Sequence, residues 1–252
     1  MHTDLSFYAV ALPAVLILGL AKGGLAGIGM LAVPLMSLAV SPVEAATIVL
    51  PILLVQDVVS VWVFRKSWDR RSVAIMLPGA VVGITLGYLL AARVSTAAVE
   101  LAVGMTSIAF GAQQLWKSRH APLQGTSAKD WVGAVCGVAV GFTSQIAHAG
   151  GPPFQIYMLP KRLPRDELIG TSAIFFAIVN WLKVPAYVAL GQFTRPNLLA
   201  AAALLPVAIL ATLAGVYVIR RITGTSFYII LYVILMLVGV KLVWSGASAL
   251  GA

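Results

Sequence analysis

The chain has 252 residues, 60% of them hydrophobic and only 10% charged, with a mean hydropathy of +0.98. A water-soluble globule of this size is excluded, because too little polar surface is available to cover it. The formal net charge of +9 does not mark a nucleic-acid surface, since the basic residues stand mainly in short loops between apolar runs, where they act as topology signals.

Leu5–Val40 opens the chain as a long apolar region broken at Lys22-Gly23-Gly24. No basic n-region or small-residue cleavage pattern marks it as a signal peptide. Three runs long enough to span a bilayer follow, Glu44–Phe64, Val73–Ala92 and Ala97–Trp116; a span needs about 20 apolar residues. The polar stretch Lys117–Asp130 leads to a second broken region, Trp131–Leu159, interrupted over Gln145–Pro153. The spans Ile169–Leu190, Leu198–Ile219 and Phe227–Trp244 complete the chain. The short pieces flanking each break predict half-helices or tightly bent pairs. Open backbone of this kind survives at membrane depth only inside protein or beside a cavity. Cys136, the single cysteine, lies inside an apolar run; one thiol forms no internal disulfide or cysteine metal site, and it reads as a small packed hydrophobe.

The basic loops decide how the breaks fold. Arg65–Ser72, Lys117–Asp130, Pro160–Leu168 and Arg220–Ser226 hold 12 basic residues, and the remaining loops hold only Arg93 and Arg195. If each broken region is a hairpin that enters and leaves on one side, all four rich loops share a side, which the positive-inside rule makes cytoplasmic. Single crossings would spread the charge almost evenly. The hairpin reading places both termini outside the cytoplasm.

The two halves resemble each other. Leu77/Leu205, Pro78/Pro206, Gly87/Gly215, Arg93/Arg221, Gly111/Gly239 and Trp116/Trp244 match at an offset of 128, and Gly19/Gly141, Gly29/Gly151, Met36/Met158 and Pro42/Pro164 at 122. The chain divides into an N-terminal membrane repeat, 1–119, a cytoplasmic linker, 120–130, and a C-terminal repeat, 131–252. Each repeat is a broken, re-entrant hairpin plus three spanning helices. Three is odd, so the halves have opposite orientation. Inverted repeats with broken helices at their interface are transporter architecture, with the site near the midplane. The fold class expected is thus an all-α polytopic membrane protein of two inverted repeats. Glycines at every fourth position, Gly19/Gly23/Gly27, Gly79/Gly83/Gly87 and Gly133/Gly137/Gly141, predict close helix packing and no chemistry.

The residues Gly19-Leu20-Ala21-Lys22-Gly23-Gly24 through Pro34, and Gly141 through the break Gly150-Gly151-Pro152-Pro153, resemble the TauE/SafE sulfite and organosulfonate exporters of the toluene sulfonate uptake permease superfamily. The likeness covers nearly the whole chain. It implies a multi-pass protein of the bacterial cytoplasmic (inner) membrane that transports small sulfur-containing or carboxylate anions without a bound cofactor. Many relatives carry a longer glycine run at the second break, where this chain has two prolines.

Polar residues inside apolar spans cost several kcal/mol unless they are paired or face a cavity, so they are the candidates for function. Lys22 stands at the first break, where Gly23 and Gly24 leave backbone N–H groups open; a cation beside open amides suits an anion, although a snorkelling lysine is the plain alternative. His148 lies in the second break beside Gly150 and Gly151. It is a substrate donor, a carrier of a coupled proton or a structural hydrogen bond. Ser144 and Gln145 add neutral donors. Asp57, Asn180 and Lys183 form a coupling or gating group, or a structural ion pair, in which Lys183 or Lys22 partners Asp57. Glu100 and Lys241 lie near span ends, and the tryptophans, Trp181 excepted, sit where an aromatic belt requires them. No metal site, phosphate loop or nucleophile–base pair stands out, and Ser144 near His148 lacks an acidic third member, so an enzyme is not expected. The expected partners are a small anion and the lipid bilayer, with no nucleic acid. A homo-oligomer is compatible, and a passive channel or an importer of other organic anions stays open.

Overall fold

The computed structural model describes residues 5–22, 28–91, 93, 95–119, 129–161, 163–218 and 225–251. Among them are ten α-helices and no strand: α1 (Leu5–Lys22), α2 (Ala32–Met36), α3 (Pro42–Phe64), α4 (Arg70–Ala91), α5 (Thr96–Arg119), α6 (Asp130–Ala147), α7 (Gly151–Met158), α8 (Arg165–Ala189), α9 (Arg195–Val218) and α10 (Thr225–Gly251). Local chemistry sets the helix ends that matter below. Ser41 accepts the Glu44 N–H at 3.2 Å and starts α3, with Pro42 in the first position, where its missing N–H costs nothing. Asp166 and Glu167 put negative charge into the first turn of α8. α6 ends in a paired turn: the N–H groups of His148 and Ala149 return to the carbonyls of Ser144 and Thr143, at 3.1 and 3.2 Å.

α1, α3, α4, α8 and α9 are long and apolar enough to cross a membrane, and α5 and α10 carry shorter apolar stretches, Leu101–Gln113 and Met236–Leu250. Their outward faces are apolar. Trp62, Leu89, Trp181, Leu210 and Trp244 are all more than half exposed, which suits hydrocarbon and not water. α10 runs past the expected end at Trp244 to Gly251.

Of the two forms expected for the broken regions, bent pairs occur, with unequal arms. α1 and α6 have 18 residues each, about 27 Å at the α-helical rise, and the returning arms α2 and α7 have 5 and 8. Pro152-Pro153 come only after α6 is complete and stand in the first turn of α7. α2 packs back on α1, and α7 on α6. Both ends of the second pair reach the start of α4 and the loop before it. Arg71 forms an ion pair with Asp130 at 2.8 Å, while Lys161 donates to Ser72 Oγ at 2.7 Å and stands 3.9 Å from Asp69. The α6–α7 segment therefore leaves from and returns to one end of the bundle. Burial pushes the Asp69 carboxyl up, but hydrogen bonds from Ser72 and Arg71 and the Lys161 charge outweigh it and hold Asp69 below its ordinary value.

α4 and α6 run parallel in backbone contact. A Cβ on Gly79, Gly83, Gly137 or Gly141 would collide with the facing carbonyl oxygen of Ala134, Val138, Met76 or Ala80. The ladders of α4 and α6 are packing surfaces, as small-residue faces in lipid are, while Gly23 and Gly27 of the first ladder lie outside the described residues. α1 packs on α9 through Gly19 against Ala211 and Gly215 against Leu20. α3 and α8 cross antiparallel, with Asp57 beside Asn180 and Ser67 against Gly170. α5 and α10 are also antiparallel, with Gly104 against Gly239 and Gly246 against Ala97.

Candidate functional site

The long arms and the antiparallel pair α3/α8 bring the polar residues of the spans together. Lys22, the last residue of α1, forms an ion pair with Asp57 Oδ1 of α3. Asn180 Nδ2 of α8 donates to the other carboxylate oxygen at 2.6 Å. Lys183 lies three residues further along the same helical face and makes its contacts elsewhere. Its Nζ meets Ser144 Oγ at 3.0 Å, the Ser144 carbonyl at 3.3 Å and His148 Nδ1 at 2.6 Å. These are three acceptors for the three protons of an ammonium. His148 Nε2 lies 2.9 Å from the Ala46 carbonyl. A carbonyl only accepts, so this network assigns the proton to Nε2 and leaves Nδ1 to accept from Lys183. His148 is held at φ 51°, a left-handed backbone rare outside glycine.

Asp57, Asn180 and Lys183 are almost completely buried, and the Lys22 side chain is 13% exposed. That exposure opens onto a cavity of about 180 Å³. Lys22, Ser144, His148 and Asn180 line its inner end, and Arg165, the first residue of α8, lines the other. Between them the wall is one face of α8, stepping through Ile169, Ser172, Ala173 and Phe176. The wall is mostly apolar, and its charged groups among the described residues are Lys22 and Arg165, both cationic. No group of His, Cys, Asp or Glu among the described residues could hold a metal ion.

A family model described as sulfite exporter TauE/SafE matches residues 11–242, which include both breaks and every residue of the buried cluster. The chain belongs to the TauE/SafE sulfite exporter family. No curated protein and no solved structure matches it. TauE/SafE proteins are membrane transporters, and the apolar helices agree: this is an integral, multi-pass membrane protein whose partners are the bilayer and a small anion.

Within this TauE/SafE chain the expected site residues divide. Lys22, Ser144, His148, Asn180 and Gly151 border the cavity. Asp57 and Lys183 lie behind them as direct partners. Gly23 and Gly24 lie outside the described residues. Gln145 is buried away from the cavity, its carbonyl accepting from Tyr187 OH at 3.1 Å. Gly150 is a packing glycine, where a Cβ would press on Val140 and Phe176. The second break also offers few open amides: Pro152 and Pro153 have none, and the Phe154 N–H bonds to the Gly150 carbonyl at 3.3 Å. That leaves the N–H groups of Gly150 and of Gly151, the latter in the first turn of α7. Sequence reasoning missed Arg165 and Ser172 as cavity residues, counting the first as a topology charge. Their signal is the spacing of Arg165, Ile169, Ser172, Phe176 and Asn180, which puts all five on one helical face. The Ala46 carbonyl, as backbone, leaves no side-chain signal.

Proposed function

We propose that this TauE/SafE protein exports small sulfur oxyanions, sulfite and short organosulfonates, across the bacterial cytoplasmic membrane by alternating access. The observation that carries this reading is a charge imbalance. Among the described residues, Lys22 and Lys183 lie in one buried cluster whose single carboxylate, Asp57, pairs with Lys22, while Lys183 reaches only Ser144 and His148, and His148 is neutral by its hydrogen bonds. An unbalanced charge inside a membrane protein is costly, and an anion seated beside Lys22 supplies the missing counter-charge. Ser144 and the Gly151 N–H stand by as neutral donors. A cavity of about 180 Å³ is smaller than the sites that take drug-sized ligands, which favours anions of a few heavy atoms. Asp57, Asn180 and Lys183 form the coupling group. A second proton on His148 would face the Lys183 ammonium at 2.6 Å, so protonation and anion loading are linked through this contact.

The same reading takes the molecule as two inverted repeats, 1–119 and 131–252. The packing supports it. α4 on α6 has its counterpart in α9 on α1, and α3 on α9 in α8 on α4. The equivalent helices α3 and α8, and α5 and α10, run antiparallel, as a two-fold axis in the membrane plane requires. The end of the bundle that gathers Arg65–Ser72, Asp130 and Lys161 is the cytoplasmic one by its charge. A thermal-shift screen of the purified protein tests the function. Sulfite, thiosulfate and short sulfonates should raise the melting temperature, and neutral sulfones of equal size should not. Equal stabilisation by both sets would contradict an anion site.

A further inference from the structure

The cavity follows α8 for about 22 Å, from Arg165 at the basic end of the bundle to Asn180 beside Lys22. Along that face the polar groups are Arg165, Ser172 and Asn180, separated by about 10 and 12 Å at the helical rise. Asp166 and Glu167 follow Arg165 in sequence and line no part of the cavity.

The equivalent face of α3 lines that cavity only at Leu53. Aligning Asn180 with Asp57, one residue off the register that pairs Pro42 with Pro164, sets Arg165 against Pro42, Ile169 against Ala46, Ser172 against Val49, Ala173 against Leu50 and Phe176 against Leu53. Pro42 is buried, and Ala46, Val49, Leu50 and Leu53 are each 5% exposed or less. The short arms account for the difference. α2 packs closely along α3. α7 meets α8 through the Phe154 ring against Phe175 and Phe176, with centroids 5.5 and 5.3 Å apart.

We infer that the α8 face from Arg165 to Asn180 is the cytoplasmic half of the anion path, with Arg165 capturing anions at its mouth, and that the equivalent α3 face is the outer half, packed shut in this conformation. The inference rests on the proposed anion transport and adds its route and its sidedness. A guanidinium at the mouth of a low-dielectric cleft raises the local anion concentration and the on-rate. Ser172 offers a hydroxyl between mouth and site. The outer counterpart of Arg165 is Pro42, which carries no charge, so capture is built into the side from which an exporter loads. Conversion to the outward state would open the face of Ala46 and Val49 and close Ser172.

The test uses full-length protein in a Cys136→Ser background, in membrane vesicles of both orientations. Ser172→Cys should react with an impermeant thiol reagent from the cytoplasmic side, and sulfite should slow the reaction. Val49→Cys should react only from the opposite side, and faster under conditions that turn the protein outward. In proteoliposomes, Arg165→Gln should raise the KM for cytoplasmic sulfite about tenfold at low ionic strength, with little change in kcat, and Arg165→Lys should restore much of it. Reaction of Ser172→Cys only from outside, or of Val49→Cys from the cytoplasm, would overturn the inference. So would an unchanged KM in Arg165→Gln while Lys22→Met abolishes sulfite transport; that result would leave the proposed function standing. Unchanged sulfite flux in both Arg165→Gln and Lys22→Met would overturn the function and the route together.

Discussion

At the inner end of the cavity, neutralising Lys22 and neutralising Asp57 should change anion affinity in opposite directions. Lys22→Met leaves one ammonium for one carboxylate and removes a charge-assisted contact of about 1.5–3 kcal/mol, roughly a ten- to hundredfold loss in sulfite affinity. Asp57→Asn leaves two ammonium groups and should hold or tighten sulfite binding, even where turnover is lost. Calorimetric titration of both variants checks this, and equal losses would make Lys22–Asp57 a structural pair only. His148 makes a second prediction. Its left-handed backbone costs about 1–2 kcal/mol with any side chain and little with glycine. His148→Gly should therefore melt above His148→Ala, while both lose the acceptor that holds Lys183 and lose sulfite flux. Identical melting temperatures would mean that the backbone strain is released elsewhere. At this scale the sequence marks Lys22, Asp57, His148, Asn180 and Lys183 as polar residues in apolar surroundings. It does not say which lysine takes Asp57. Helical spacing sets the face a residue occupies, whereas that choice depends on how far α1 and α8 slide along α3.

Glycines of two kinds separate the packing of helices from the geometry of turns. Gly83 lies where a Cβ would strike the Val138 carbonyl, and Gly191 has φ 64° with open space around it. Gly83→Ala must push α4 from α6 and should cost at least the 1–3 kcal/mol or so of overpacking. Gly191→Ala should cost about 1 kcal/mol from the backbone alone. Denaturation in mixed micelles should rank them in that order. The ladders are legible in the sequence because spacing of four is a property of one helix. Their partners are not, since α4 meeting α6 joins residues of different halves. The loop that ties α4 to α7 and α8 gives a prediction in pH. Asp69 is held below the ordinary carboxylate value of 3.8, so its contribution is present above that value and is lost as pH falls through the depressed one. Changes in transport between pH 5 and 8 should therefore persist unaltered in Asp69→Asn. A pH profile shifted within that window by Asp69→Asn would place the coupled proton at this loop instead of in the buried cluster.

For the whole molecule, much of the architecture is legible in the sequence. Apolar runs of about 20 residues follow from the physics of a bilayer, and they reappear as helices long enough to cross one. The unequal arms of the broken regions are less so, because a glycine or proline marks where a helix stops and not how long the returning arm is. The open cavity is less so again. Which face of a helix stays uncovered depends on how its neighbours pack, as with the Phe154 ring against Phe175 and Phe176, and leaves no mark in the spacing of one segment. Counterflow in proteoliposomes tests the central claim most directly. Vesicles loaded with concentrated unlabelled sulfite and diluted into trace labelled sulfite should accumulate label transiently above its equilibrium level, and vesicles with Lys22→Met should not. Accumulation above equilibrium requires a site that faces one side at a time. Label that only relaxes to equilibrium, at a rate linear in concentration, would make the protein a channel, and wild-type overshoot in Lys22→Met would place the anion away from this lysine.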